Sequence, residues 1–173
     1  MRTVAVTAGH GGSDPGAIAN GAIERDLMTE LRDLVALKLR EVGVHVRTDG
    51  ARWQNLPLLH ALTLVPGTAW AVELHTNAAT NPLATGVEVV AMPADKLRAQ
   101  RLAAAIAEPL GLRLRGDGGW IDQTQTARGR LGFVRVGGMV VECFFISNRA
   151  DLAVYQARKW LVASAIARVL GGT

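Results

Sequence analysis

The sequence predicts an α/β fold of three layers (αβα), with a twisted, mostly parallel mixed sheet of about five to six strands. Two observations carry this prediction. Short apolar, β-branched segments alternate along the chain with segments of helical periodicity. The chain has 173 residues, the length of one domain, and no repeat, linker or low-complexity stretch divides it. We therefore expect a single domain over residues 1–173.

The predicted strands are short runs of small and β-branched residues. They cover residues 2–7, 44–48, 68–74, 86–92 and 139–145. The last run is apolar except for Glu142, and the run that ends at residue 74 leads directly into His75. Strands connected by helices in one short chain favour a largely parallel sheet.

The predicted helices have apolar side chains at helical spacing. They cover residues 24–42, 56–65, 93–110 and about 152–169. Residues 9–21 contain five glycines and are predicted to form a loop. Residues 111–138 are rich in Gly and Arg, so we expect loop there with one or two short strands.

Composition narrows the functional classes. Cys143 is the only cysteine, so a metal site within one chain must use His and carboxylate ligands. The net charge of +4 favours anionic partners, but aromatic residues make up only 5% and no basic–aromatic motif is present. We therefore expect no nucleic-acid partner. No apolar run approaches eighteen residues, so we also expect no membrane span.

Four polar residues lie at unusual places in this pattern. His10 follows the first strand among glycines, His75 follows a later strand, and Glu24 opens the first long helix. Ligands of α/β sheets bind at the carboxyl ends of strands. Glu142 lies inside an apolar strand, where an unpaired carboxylate is costly to bury.

Each of these residues also has an ordinary structural explanation. A strand-end His is often satisfied by neighbours, and a Glu at a helix start favours the macrodipole. Glu142 is the hardest of the four to explain in this way. Taken together, two His, one Glu and a nearby second Glu match a catalytic zinc site with three protein ligands, an open position and a base.

Three motifs extend around these residues. They are residues 8–17 (AGHGGSDPGA) with Glu24 following, residues 75–78 (HTNA) with 86–89 (GVEV) following, and residues 141–148 (VECFFISN) with Asp151 following. In this order the sequence resembles the type 3 N-acetylmuramoyl-L-alanine amidases. That family includes cell-separation amidases of bacteria and phage endolysins. The resemblance spans residues 4–151.

The resemblance implies a phosphorylase/hydrolase-like fold and an amidase that binds peptidoglycan. It implies that His10, Glu24 and His75 bind one Zn²⁺ per chain and that Glu142 is the catalytic carboxylate. The expected reaction is hydrolysis of the amide between N-acetylmuramic acid and L-alanine. We expect the catalytic domain to fill the chain, without a separate wall-binding domain.

Further residues are candidates of lower rank. Glu73 lies two residues before His75, so it would orient that ligand or serve a structural or surface role. Asn77 and Glu88 belong to the second motif and are candidates for substrate or ligand contacts. His45 and His60 lie in no motif and are expected to be structural or surface residues.

Five arginines form a basic cluster. We interpret it either as a solvated face or as a cleft wall that attracts stem-peptide carboxylates, with Arg130 as the first member to test. The cluster consists of Arg113, Arg115, Arg128, Arg130 and Arg135.

We expect a monomeric phage or prophage endolysin. It would be made in the host cytoplasm without a signal peptide and would act on peptidoglycan after release by a separate membrane-permeabilising protein, since Met1 runs directly into a strand pattern. Three alternatives stay open at this point. They are a zinc peptidase of peptidoglycan peptides, a catalytically inactive wall-binding module, and a basic nucleic-acid-binding protein.

Overall fold

Eight strands are present in the computed structural model of the protein, which describes residues 2–126 and 129–172. Within that part of the chain they are β1 (Thr3–Ala8), β2 (Ile18–Ala19), β3 (Ala22–Ile23), β4 (His45–Arg47), β5 (Trp70–Asn77), β6 (Glu88–Ala91), β7 (Trp120–Asp122) and β8 (Met139–Phe145). Strands β2 and β3 pair only with each other, and the other six form one sheet in the order β4-β1-β5-β8-β6-β7.

The main sheet is mixed but mostly parallel. Strand β1 runs parallel to β4 and β5, β5 runs parallel to β8, and β6 runs parallel to β7. The single antiparallel pair is β6 with β8. This arrangement confirms the predicted sheet.

Helices cover both faces of the sheet. They are α1 (Glu24–Glu41), α2 (Leu58–Leu64), α3 (Lys96–Leu110), α4 (Gly132–Arg135) and α5 (Arg149–Gly171). Helix α5 packs between α1 and α3 on one face, over the larger core. On the other face, the described residues include the short helices α2 and α4, which pack on a smaller core that includes Ala71, Val90, Phe133 and Val140.

The alternation of side chains along the strands explains where polar groups collect. In β5, Val72 and Leu74 enter the larger core, so Glu73 and His75 face the side of α2 and α4. In β8, Val141 enters the larger core, so Glu142 shares that opposite side with Val140. The short helices cover the apolar half of this face, and the polar half borders a cleft.

The structure differs from the predicted elements mainly in short segments. Helix α4 lies within residues 111–138, where loop and strand were expected; its four residues are too few to show a helical period. The glycine-rich loop contains the small β2–β3 hairpin. The helix predicted from residue 93 begins with a 3-10 turn at Pro93–Asp95.

Helix α5 begins earlier than its apolar stripe suggests because Asn148 caps it. The Asn148 side chain accepts hydrogen bonds from the backbone N–H groups of Ala150 and Asp151, at 2.9 and 3.2 Å. Asp151 in turn accepts from Thr85 Oγ1 at 2.7 Å and from the backbone N–H of Phe145 at 3.1 Å. The end of the third motif therefore anchors β8 to α5. Across the described ranges, we find no helix long and apolar enough to span a bilayer.

Candidate metal centre and active-site cleft

His10, Glu24 and His75 converge at one end of the cleft, as the sequence predicted. Each residue offers one ligand atom, and the three atoms lie within 4.8 Å of one another. His10 Nε2 lies 3.2 Å from Glu24 Oε2, and His75 Nδ1 lies 3.2 Å from Glu24 Oε1. Ligand atoms of a tetrahedral zinc site with bonds of about 2.0–2.1 Å are about 3.4 Å apart. Two imidazole nitrogens and one carboxylate oxygen within 4.8 Å of one another are therefore a donor set that fits a zinc ion.

Each of the two imidazoles has one nitrogen facing Glu24, and its other nitrogen, the outer one, is hydrogen-bonded to a second carboxylate. Asp14 Oδ2 lies 2.8 Å from His10 Nδ1, and Glu73 Oε2 lies 3.0 Å from His75 Nε2. Such partners fix the tautomer and the ring orientation of a metal-binding His. Glu73 therefore occupies the place of an orienting residue. Asp14 occupies the matching place for His10, and sequence reasoning gave it no role although it lies in the first motif.

The Glu24 carboxylate is fixed by backbone donors as well as by the two imidazoles. Its oxygens accept from the N–H of Ala17 and from the N–H of Thr76, each at 2.9 Å. Helix α1 begins at Glu24, directly after the β2–β3 hairpin, and this placement turns the side chain back toward His10.

Charge coupling among the three residues shifts their pKa values. Burial would raise the pKa of Glu24, but hydrogen bonds from His10 and His75 outweigh it and hold that pKa well below its usual range. Burial would lower the pKa of His75, but hydrogen bonds to Glu24 and Glu73 prevail and raise that pKa to about 10. The hydrogen bond to Glu24 also raises the pKa of His10, against the effect of burial.

Glycines of the first motif make room for the two imidazoles. A Cβ on Gly9 would lie 2.1 Å from Cε1 of His75, so any larger residue would displace that ring. A Cβ on Gly16 would lie 2.6 Å from both Glu24 Oε2 and His10 Cδ2, and Gly16 has a φ of 67°. His10 itself has a φ of 59°, which turns the chain at the end of β1.

A buried ion pair supports the loop that carries His10. Arg32 and Asp49 are fully buried, with Arg32 Nη1 3.0 Å from Asp49 Oδ1. Asp49 Oδ2 accepts from the backbone N–H of Ala8 at 3.1 Å. The Asn55 side-chain amide donates to the carbonyls of Ala8 and Gly9, both at 3.1 Å. The carboxyl end of β1 is therefore held on both sides before the chain turns at His10.

Glu142 lies next to the candidate ligands and lines the same cleft, whose volume is about 1060 Å³. In the sheet it stands opposite His75 on β5 and opposite Glu88 on β6. Its negative charge contributes to the raised pKa of His75. Glu142 is half-buried: the residue lines the cleft, and its Oε2 atom is buried.

A second polar group lines the cleft farther along the sheet. Asn77 Nδ2 donates to Glu88 Oε1 at 3.0 Å, and Arg115 Nε donates to Glu88 Oε2 at 2.5 Å. The Arg115 guanidinium lies 4.8 Å from the centre of the Phe145 ring. Asn77 and Glu88 are thus brought together, in contact with each other rather than with His10, Glu24 or His75.

The basic cluster divides in the structure. Arg115 lines the cleft, whereas Arg113, Arg130 and Arg135 are exposed and are not among the residues that line it. Arg128 lies outside the described residues. The sequence indicated Arg115 only as one member of the basic cluster. Its contact with Glu88 could not be predicted, because the two residues lie 27 positions apart. His45 and His60 are exposed, as expected.

Comparisons with known proteins agree with this architecture. The family model described as N-acetylmuramoyl-L-alanine amidase (Amidase_3) matches residues 4–171. A structure from Neisseria meningitidis, assigned as an N-acetylmuramoyl-L-alanine amidase, is 40% identical, with a TM-score of 0.91 over 99% of this chain and 94% of that one. A stretch of 44 residues is 43% identical to YqiI of Bacillus subtilis (strain 168); it covers 25% of this chain and 21% of that protein.

More distant structures share the fold. The catalytic domain of CwlV, an amidase from Bacillus (Paenibacillus) polymyxa, is 21% identical with a TM-score of 0.81, over 99% of this chain and 97% of that one. The catalytic domain of the CD27L endolysin, which targets Clostridia difficile, is 20% identical with a TM-score of 0.72, over 100% and 98%. The class of protein is thus that of the peptidoglycan amidases. Within it, the chain belongs to the N-acetylmuramoyl-L-alanine amidase family, which confirms the resemblance seen in its motifs.

Proposed function

We propose that the chain hydrolyses the amide between N-acetylmuramic acid and L-alanine of peptidoglycan as a zinc enzyme. The observation that carries the proposal is the convergence of ligand atoms from His10, Glu24 and His75 within 4.8 Å, beside Glu142 in one cleft. Family membership supports the choice of the bond.

His10, Glu24 and His75 are the residues that would hold the ion. Two imidazole nitrogens and one carboxylate oxygen are a donor set that catalytic zinc accepts, with a further position left for water or substrate. When bound there, zinc would lower the pKa of a water toward neutrality and polarise the amide carbonyl. Asp14 and Glu73 would keep the two imidazoles in the orientation that points their inner nitrogens at Glu24.

Glu142 is the residue we assign to proton transfer. It lines the cleft beside His75 and takes a proton from the attacking water. The amide nitrogen of L-alanine is a poor leaving group until it is protonated. Glu142 therefore returns the proton to that nitrogen as the C–N bond breaks. The products are a free lactyl carboxylate on the muramic acid and a free amino group on L-alanine.

The test is digestion of purified peptidoglycan with and without a chelator, followed by mass spectrometry of the soluble products. We expect free L-alanine amino termini, loss of cleavage with the chelator, and recovery when zinc is restored. Products that keep the muramoyl–alanine bond would identify a peptidase instead. Binding of the wall without any cleavage by zinc-loaded protein would identify an inactive module.

We further propose an endolysin role, with synthesis in the host cytoplasm and action on the wall after release. The fold is compatible with this role, because the catalytic domain of the CD27L endolysin has the same fold. Expression in bacteria with and without a pore-forming protein tests it, and we expect lysis only with both. Lysis without the pore-forming protein would contradict it. Light scattering of the purified protein would check the expected monomer.

A further inference from the structure

Charge in the cleft is distributed very unevenly. Five acidic side chains line it: Asp14, Glu24, Glu73, Glu88 and Glu142. Among the cleft-lining residues that the structure describes, Arg115 is the only Lys or Arg. Beyond the candidate metal site, a negatively charged substrate group therefore meets one arginine in the cleft with which it can pair, Arg115.

Arg115 is held in place rather than loosely exposed. Its Nε donates to Glu88 Oε2, Glu88 is braced by Asn77, and the guanidinium lies over the Phe145 ring. The backbone N–H of Arg115 donates to the carbonyl of Val87 at 2.9 Å, which fixes the residue beside the start of β6. Among the three guanidinium nitrogens of Arg115, only Nε has a hydrogen-bond acceptor in the part of the chain that the structure describes.

The two terminal nitrogens of Arg115 are thus available to a ligand. The side chain is 32% exposed, and its fork of donors matches the two oxygens of a carboxylate. Glu88 neutralises the arginine in the free protein but contacts it through one nitrogen only. This arrangement orients a guanidinium toward an incoming anion without blocking it.

The sheet register sets the distance from the cleaved bond. His75, Glu142 and Glu88 stand opposite one another on the adjacent strands β5, β8 and β6. Adjacent strands are about 4.8 Å apart, so Glu88 lies about 10 Å from His75 along this row. Two extended residues cover about 7 Å of that span at about 3.3–3.6 Å per residue, and a hydrogen bond of about 2.9 Å to Arg115 completes it.

We propose that Arg115 binds the free α-carboxylate of the second stem-peptide residue and thereby makes the enzyme selective for it. That residue is a D-glutamate linked through its γ-carboxyl, and its α-carboxylate is the first acidic group beyond the cleaved amide. The proposal rests on the proposed amidase function. In wall types where this carboxylate is converted to an amide, the ligand for Arg115 is lost.

The experiment compares two soluble muramoyl tripeptides that differ only at the second residue, one with D-isoglutamate and one with D-isoglutamine. For zinc-loaded wild-type protein we expect kcat/KM to be about tenfold or more higher for the free carboxylate, mainly through KM. In Arg115→Gln the ratio of the two kcat/KM values should fall to about one, with zinc content near one per chain. Arg115→Lys keeps the charge without the fork and should retain part of the preference.

Arg113→Gln is the matched control, because Arg113 is an exposed neighbour that is not part of the cleft lining. It should keep the wild-type preference. Equal cleavage of both substrates by the wild type would overturn the proposal, as would an Arg115→Gln variant that loses activity on both substrates alike. Failure of the wild type to cleave either substrate would count against the amidase function itself.

Discussion

At the scale of single residues, the proton-transfer role proposed for Glu142 can be tested separately from metal binding. Glu142→Gln keeps the size of the side chain and leaves His10, Glu24 and His75 untouched. The amide cannot accept and return a proton, so we expect kcat to fall by about 10²–10⁴-fold. Zinc content by elemental analysis should stay near one per chain. A variant that keeps most of its activity would make Glu142 structural, and one that loses zinc would make it a ligand.

The carboxylates behind the imidazoles provide a second test at this scale. We expect Glu73→Gln to weaken zinc binding by about 10–100-fold, because the His75 ring loses its charged partner. Asp14→Asn should act in the same direction through His10, and more weakly because Asp14 is exposed. Competition with a chromophoric chelator measures both affinities. Unchanged zinc affinity in Glu73→Gln would assign Glu73 to the stability of the fold alone.

The raised pKa of His75 predicts opposite effects of pH on two measurements. That pKa is about 10 against an ordinary 6.5, so protonated His75 stabilises the zinc-free protein fully below pH 6.5. This contribution is lost as pH rises through 10. Zinc requires the neutral imidazole, so its affinity should rise over the same window. Thermal unfolding of zinc-free protein and calorimetric zinc titration check the pair. An affinity independent of pH would contradict the shift.

The sequence singled out His10, Glu24, His75 and Glu142 because each is unusual in its own segment, and the structure brings the first three together. A His among glycines and a Glu in an apolar strand are visible one position at a time. The contacts of Asp14 and Arg115 were not predictable in that way. They depend on the turn at His10, with its φ of 59°, and on a pairing between residues 88 and 115 that no local pattern reveals.

At the scale of elements, the turn after β1 is as important as the ligands it carries. Gly9→Ala would place a methyl group against the His75 ring, so we expect zinc affinity to fall by at least about tenfold. Gly43→Ala is the control: its φ of 78° strains the backbone, but no atom lies within 4 Å of the added methyl. Both variants should lose some thermal stability, and only Gly9→Ala should lose zinc. Normal zinc binding in Gly9→Ala would show that the ring has room to move.

Long elements were predictable and short ones were not. Helices α1, α3 and α5 extend over four or more turns, and their apolar spacing is clear in the sequence. Helix α4 has four residues and the strands of the hairpin have two each, so no period can be seen. Their positions are set by tertiary packing, as shown by Phe133 and Val134 of α4 in the smaller core.

For the whole molecule, we expect the net positive charge to attract the anionic wall, and this long-range attraction is distinct from substrate recognition in the cleft. The net charge is +4, and exposed arginines such as Arg130 contribute to it. Between about 0.1 M and 1 M salt the screening length falls from about 10 to about 3 Å. We expect rates on intact peptidoglycan to fall several-fold over this range, and Arg130→Ala to raise the apparent KM. Rates on a soluble muropeptide should change less. Rates on the intact wall that do not change with salt concentration would contradict this prediction.

The unequal helical layers have a consequence for the kind of substrate the enzyme can process. Helix α2 has seven residues and α4 has four, and within residues 2–126 and 129–172 neither helix closes over the polar half of the sheet. The reactive groups lie along an open trench rather than at the bottom of a closed chamber. A cross-linked mesh offers few free ends to thread through a narrow entrance. A trench lies against an intact strand of such a mesh from the side, so cutting can begin anywhere along it.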